Sequence, residues 1–507
     1  MNYAPFKKHI NIDVLIYLVL LLLVILFRFL VLVRFGFKYT DSDQTIMWLG
    51  LKDYASGVFH EPRFYGQAYS SMIEALVAVP LYKLGLPANK CLPLINSLFA
   101  LAPFVLISFF TLLKKSPKMA LVITSIPLLL PVEYSLLTTI PRGFVAGIFV
   151  ASLGCLSIFY PKSKWGFFLL SFTGVIGFSL NFNAVLLFLP CLIYLFLENV
   201  KNKTFYLYTI LGFALGFGIH FLVNYFYVLH PFNDVHKIVL HFSFSNIWIG
   251  IKKIDPFLNT MSPVFWKTGF LVLFAFAIIG IFLFRKKEHS KAISVISIPV
   301  FVILTLGINK VHDGTLSIFY SYARMYLAIP VLLAVSLSFL KANNSKLFYI
   351  YLLLPFVYLT YQVSQLNSVI EESLRPSNDD KVAVATVDKF TSECNHLQDI
   401  CNTYKIDLVI IVNHPYCDFY DYGCTATMPN FPKTIRPSYE RRTWRFIEDE
   451  NTVYKNILFV DIGRNASSNQ GALEMLPNET GLFVLKNNTK RTIDLFNQLP
   501  VPYRQYK

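Results

Sequence analysis

Charge is what this sequence most lacks. Only 15% of its residues are Asp, Glu, Lys or Arg, against about 25% in soluble domains. A chain so poor in charge, and 55% hydrophobic, does not read as a soluble enzyme. No P-loop, dinucleotide fingerprint, HExxH or GxSxG motif occurs. Nucleotide-driven transport and the common hydrolase mechanisms therefore have no support. Internal repeats and low-complexity tracts are missing too. No small-residue cleavage site follows the apolar run that starts near Asn11, so that run is expected to stay as a first membrane helix. The formal charge of +15 does not call for nucleic acid. Most of the Lys and Arg sit in short loops between apolar runs, where they set topology and meet anionic headgroups.

Long apolar runs are what the chain has in plenty. Stretches of roughly 17–25 residues recur along positions 1–364, and they predict a polytopic α-helical membrane protein of about eleven spans. The 48 Phe and 29 Tyr suit lipid contact and the headgroup region. The expected spans are Ile12–Val33, Leu92–Leu113, Met119–Thr139, Phe144–Tyr160, Gly166–Leu180, Ala184–Leu197, Phe205–Leu229, Phe265–Phe284, Ala292–Leu306, Ala323–Leu340 and Leu347–Val363. Lys- and Arg-rich hairpins at 114–118, 162–164, 198–203, 285–291 and 341–346 fall on one side of this layout. By the positive-inside rule that side is cytoplasmic, together with Lys7 and Lys8. Residues 36–91, 140–143, 230–264, 309–322 and the C-terminal tail are then expected outside, at the periplasmic face of an inner membrane.

Residues 365–507 change character. Strand-like runs at 381–387, 406–412, 456–462 and 481–486 alternate with helix-like segments, which predicts a small extracytoplasmic α/β domain. Four of the seven cysteines lie there. Two pairs with equal spacing suggest disulfides Cys394–Cys401 and Cys417–Cys424, with a structural zinc as the rival.

The polar chemistry gathers in the first outer loop. Asp41 and Asp43 open it, in Tyr39-Thr40-Asp41-Ser42-Asp43-Gln44. Asp41 can N-cap a helix from Ser42, with Gln44 completing a capping box and Gly57 ending the helix. A second motif runs from His60-Glu61-Pro62-Arg63 through Tyr65, Gln67 and Tyr69 to Glu74. Glu74 is expected to fix its helix to a basic neighbour. Arg142 and Arg324 lie where spans meet the outer face, and Arg binds phosphate in a fork. His312-Asp313 is a further acid–base or metal pair. His220 and Asn224 share a helix face, which suggests an interhelical hydrogen bond.

One span, then an outer loop opening on an acidic pair, then a lipid-hugging helix and a second short helix: this layout resembles the GT-C superfamily of membrane glycosyltransferases. Within it the chain looks like the protein O-mannosyltransferases and the bacterial aminoarabinose transferases. The resemblance covers residues 1–364 in layout and only the first outer loop in motif. Here the acidic motif reads Asp-Ser-Asp where the commonest form is Asp-Glu. The resemblance implies a transmembrane glycosyltransferase domain at 1–364, with its catalytic loop at 34–91; it does not extend to the outer domain expected at 365–507. It implies transfer of a sugar from a polyprenyl-phosphate donor to a lipid, glycan or protein acceptor at the outer face. Asp41 is then expected as base or acceptor-positioning residue, and Asp43 as its partner or a metal ligand. Arg142, Arg324 and Arg63 would take the donor phosphate. His60, Glu61, Tyr65, Gln67 and Tyr69 would line the sugar pocket. The motifs assign no certain cofactor and leave a divalent metal ion open, with Asp43, His312 and Asp313 as its candidate ligands. A lipid-glycan flippase and a non-catalytic envelope assembly protein remain as alternatives.

Overall fold

The structure is a computed structural model. It describes residues 12–231, 233, 235–341, 348, 351–375, 384–413, 419–436, 444–447, 450–461, 473–477 and 479–497. Cys417, Asp234 and Lys346 lie outside the described residues.

Positions 12–340, among the described residues, are mainly helical. Among the described residues three helices are long and apolar enough to cross a membrane by length and composition: Ile12–Gly36, Ala88–Leu113 and Lys203–Leu229. Shorter apolar helices accompany them, at Pro117–Leu129, Phe144–Phe159, Lys164–Leu180, Ala184–Glu198, Leu271–Arg285, His289–Thr305 and Tyr322–Ser338. Most expected spans therefore exist as helices with shifted ends. The expected span Met119–Thr139 does not run through. It divides into Pro117–Leu129 and Val132–Leu137. Leu130 and Pro131 are extended between them, as a proline disfavours helical backbone at the residue before it. Of the last expected span, the start lies largely outside the described residues; the described helix Leu354–Ser373 runs past the expected end at Val363. Helix Lys203–Leu229 packs on Lys164–Leu180 at close range. A Cβ at Gly212 would lie 2.5 Å from the carbonyl of Phe168. Small residues permit this approach of two helix backbones.

The segment from Tyr39 to Lys83 follows the expected helix start and stop but not the expected capping box. Strand β1 (Tyr39–Asp41) leads into helix Ser42–Ala55. Asp41 N-caps that helix, accepting from the N–H groups of Asp43 at 2.9 Å and Gln44 at 3.1 Å. Gln44 does not close a capping box. Its side-chain amide donates to the Asp41 carboxylate instead, at 2.6 Å. Gly57, with φ +78°, follows the helix end. Helix Ile73–Lys83 comes next.

The C-terminal region carries a five-stranded sheet in the order β4-β3-β5-β7-β6. Its strands are β3 (Leu408–Asn413), β4 (Lys433–Ile435), β5 (Ile457–Asp461), β6 (Leu473–Met475) and β7 (Leu482–Leu485). The first predicted run does not join it. Its described part, β2 (Val384–Thr386), pairs antiparallel with β1, setting Asp41 opposite Val384. The C-terminal region is thus stitched to the backbone of the acidic motif. Trp48 packs edge-on to Phe390 of helix Val387–Thr403, and Lys52 Nζ donates to the carbonyl of Thr425 at 2.5 Å.

The expected cysteine pairing is overturned. Cys394 bonds Cys424, with Cα atoms 5.3 Å apart, and Cys401 is a buried free thiol. Cys394 and Cys401 sit on one helix, so their Cα atoms are about 10 Å apart along its axis. That is beyond disulfide reach.

Candidate active site

Asp41 and Arg142 form the centre. Arg142 Nη2 lies 2.6 Å from Asp41 Oδ1, with side-chain exposures of 3% and 0%. Arg142 Nη1 lies 3.6 Å from Asp43 Oδ2 and donates to the carbonyl of Phe319. Burial pushes the Asp41 carboxyl above its ordinary value. Arg142 opposes this, Asp43 adds to it by repulsion, and the Gln44 amide opposes it. Facing Asp41 and Asp43 holds the Arg142 guanidinium above its usual range, despite burial pulling the other way.

The turn that delivers Arg142 is fixed from below. Gly143 has φ +76°, a conformation that glycine adopts without strain. A Cβ there would also come within 2.9 Å of the Ser71 carbonyl. Its N–H donates to Glu74 Oε1 at 2.9 Å. Glu74 is fully buried and bonds this backbone rather than a basic side chain. Burial pushes its carboxyl up to about 7.

Asp43, Gln67, Tyr69, Arg142, Asn181, Lys310, Tyr320 and Arg324 line one cleft, with Phe64, Phe144, Phe182 and Met325 as apolar walls. Asp43 is the carboxylate that faces it. Asp41 is enclosed and does not line it. Arg324 is held by donation to the carbonyls of Tyr320 at 3.1 Å, Ser321 at 2.7 Å and Asp313. Its guanidinium lies over the Tyr320 ring, 4.1 Å from the centroid. Lys310 pairs with Asp313 at 2.6 Å, and Tyr320 donates to the same Asp313 oxygen at 2.8 Å. Burial pushes the Tyr320 phenol up to about 12, with Arg324 opposing. The cleft is narrow, at about 50 Å³, whereas small-molecule pockets begin near roughly 300 Å³. An apolar groove of about 240 Å³ abuts the cleft and shares Phe182, Lys310 and Met325 with it.

The cleft therefore gathers Asp43, Arg142, Arg324, Gln67 and Tyr69 from the expected set. The others lie elsewhere. Arg63 donates to the Ser179 carbonyl at 3.0 Å and to Asn224 Oδ1 at 2.9 Å. It belongs to a helix-joining network in which Asn224 also bonds His220 at 2.9 Å. His60, Glu61 and Tyr65 form a clasp on the outer domain. The His60 ring stacks on Trp444 at 3.6 Å. Glu61 accepts from Gly66 N–H at 2.8 Å and from Trp444 Nε1 at 3.3 Å. Tyr65 donates to Asp53 at 3.1 Å. His312 and Asp313 do not act as a pair, since His312 Nε2 bonds the Leu306 carbonyl at 2.7 Å. Among the described residues no three His, Cys, Asp or Glu side chains are grouped to hold a metal.

Sequence reasoning missed Lys310 and Trp444. Lys310 sits two residues before His312 in the same polar loop. Its placement at the outer end of a span was the available signal.

These features define a largely helical fold rich in apolar helices, with an acid–cation cleft beside helix Ser42–Ala55 and a C-terminal region built on a five-stranded sheet. Among solved structures the chain is similar to ArnT from Cupriavidus metallidurans bound to undecaprenyl phosphate. The TM-score is 0.51 at 10% identity, over 93% of this chain and 97% of that one. The same ArnT in the apo state gives 0.47 at 11% identity, over 94% and 98%. At such identity the likeness is one of fold. No protein-family model matches the chain, and no curated protein matches its sequence.

Proposed function

We propose that this protein is a glycosyltransferase that moves a sugar from a polyprenyl-phosphate donor to an envelope acceptor. It would work at the outer face of the cytoplasmic membrane, with its N-terminus cytoplasmic and its C-terminal domain outside. The observation that carries this reading is the join between two surfaces. Arg142, Arg324 and Lys310 bring positive charge to a cleft that opens beside an apolar groove. That pairing suits a phosphate attached to a prenyl chain. The ArnT structure with undecaprenyl phosphate, on the same fold, supports the assignment.

The chemistry asks little of the protein. An acceptor hydroxyl attacks the anomeric carbon, a new C–O bond forms, and the bond to the lipid phosphate breaks. Asp43 faces the cleft, and it takes the hydroxyl proton as base. The leaving phosphate keeps the bonding electrons and is stabilised by Arg324 and Lys310. Asp41 acts one step back, holding Arg142 in place. Gln67 and Tyr69 border the sugar.

The test is transfer from a radiolabelled polyprenyl-phosphate sugar by purified wild type, Asp43→Asn and Asp41→Asn, with lipid phosphate release measured. Wild-type turnover that Asp43→Asn abolishes, with folding and lipid binding intact, supports the reading. Folded, lipid-binding protein that turns over no donor with any acceptor extract would overturn it in favour of a flippase or a scaffold.

A further inference from the structure

The connection between helices Lys203–Leu229 and Leu271–Arg285 holds a short helix of its own, Phe244–Lys252, capped by the Ser243 hydroxyl, which accepts from Ser245 N–H at 3.2 Å. A helix on a water-facing surface turns its apolar stripe toward the core. This one does the reverse. Its inner side is small and polar. A Cβ at Gly250 would lie 2.9 Å from the Leu306 side chain, and the Asn246 amide donates to the Gly307 carbonyl at 3.4 Å. Its outer side carries Phe244, Trp248 and Ile251, at the i, i+4 and i+7 positions of one helical stripe. Phe244 is 79% exposed and Trp248 62%.

The place of the helix says what meets that stripe. Leu306 and Gly307 follow directly on helix His289–Thr305, one of the apolar helices. Val300, Ile303 and Leu304 stay exposed up to the end of that helix. Val228 and Leu229 do the same at the end of helix Lys203–Leu229, the span that enters this connection. Exposed apolar surface thus runs to the ends of two apolar helices and resumes on Phe244–Lys252. Charge points the same way. Lys237, Lys252, Lys253 and Lys267 are all exposed, and Asp255 is the single acid between Val235 and Lys267. Asp255 accepts from Phe270 N–H at 3.2 Å. Lys252 Nζ lies 5.5 Å from the centre of the Trp248 ring.

We infer that helix Phe244–Lys252 is an interfacial anchor, whose Phe244, Trp248 and Ile251 enter the acyl boundary of the adjacent leaflet while Lys252 and Lys253 bind its anionic phosphates. Trp suits the headgroup level, with an apolar ring and one N–H donor. Lysine stems lie along apolar surface and carry their ammonium groups to the phosphates. A short helix with aromatics on one side and lysines at its edge binds through both contributions together. A protein partner is the poorer fit, because interface cores are depleted in Lys, and here a lysine leans over the central aromatic. The anchor is joined to the cleft by its own chain. Ile238 lines the cleft and Leu240 the apolar groove. The seat of the helix therefore sets where that wall stands relative to the lipid surface.

The test places the full chain in nanodiscs of phosphatidylcholine, alone or mixed with phosphatidylglycerol. The Trp248 signal is the fluorescence difference between wild type and Trp248→Phe. Lipids brominated near the headgroup should quench it, and aqueous acrylamide should not. Native mass spectrometry should show phosphatidylglycerol retained in preference to phosphatidylcholine. Lys252→Gln/Lys253→Gln should reduce that preference about tenfold, with an unchanged melting temperature, since both side chains are exposed. Quenching by acrylamide and not by brominated lipid would overturn the inference. Protection from both quenchers would overturn it in favour of a protein partner or a second copy of this chain. A phosphatidylglycerol preference that is absent, or that survives in the lysine variant, would overturn it as well. The readout is lipid contact, so its failure is distinguishable from any failure of sugar transfer.

Discussion

Two buried aspartate–arginine pairs sit in different halves of the molecule. Asp41 and Arg142 meet at 2.6 Å beside the cleft, and Asp421 and Arg445 meet at 2.7 Å in the C-terminal region. Both carboxylates are fully enclosed. What surrounds them differs. Arg445 spends its remaining donors inward, on the Thr434 carbonyl at 2.8 Å, and lies over the Tyr422 ring. Arg142 reaches a second carboxylate, Asp43, that is 33% exposed and opens on a cleft. The outer pair is a closed staple. The inner pair leaves a guanidinium edge and an acid facing a space that a ligand could fill. Burial and pairing alone do not separate the two pairs; the solvent-facing side of the inner one does.

Breaking each pair should give opposite phenotypes. Arg142→Met has the largest expected effect. Transfer should fall by about a thousandfold, the scale of removing an electrostatic stabiliser at a reacting centre. Adding Asp41→Asn should recover stability but not turnover. Rescue of turnover in that double variant would show the pair to be a staple like the other. Arg445→Met should cost about 3–5 kcal/mol, the usual result of stranding a buried charge. Transfer per folded molecule should stay within about twofold, measured after quantifying folded protein. The disulfide Cys394–Cys424 closes a sequence separation of 30 residues in the same outer region. Replacing both cysteines by serine should cost about 3 kcal/mol in chemical denaturation.

The smallest effect concerns Glu74, under the inner pair. Its carboxyl is raised from 4.5 to about 7 in the fold. A raised carboxyl holds its proton more tightly when folded than when unfolded. Stability is therefore fully present below 4.5 and declines as pH climbs through about 7. Glu74→Gln keeps an acceptor for Gly143 N–H and should flatten that decline. Melting temperatures between pH 4.5 and 7 check it; an identical slope in the variant would remove Glu74 as the titrating group.

Much of the inner half was legible in the sequence, because local rules govern it. The cap at Asp41, the stop at Gly57, the apolar helices and the interfacial arginines each follow from a few adjacent residues. Tertiary choices were not legible. Which of Asp41 and Asp43 faces the cleft depends on where Arg142 arrives, and nothing in the local motif states that. His60, Glu61 and Tyr65 look like sugar contacts until Trp444 comes from the far end of the chain to cover them. The outer domain was read by its long strands, whereas β4 and β6, three residues each, are too short to show a pattern. Its disulfide was misread from spacing, since equal gaps carry no geometry when both cysteines lie on one rigid helix.

The pairing of β1 with β2 has a consequence for biosynthesis. A chain emerging N-terminus first presents Asp41 early, but the strand that secures it begins at Val384. The acidic motif stays open-edged until nearly the whole membrane region has been made. A nascent or truncated chain ending before β2 would hold every cleft residue and still lack the partner strand. Completion of the C-terminal region is therefore what supplies the backbone partner of the acidic motif.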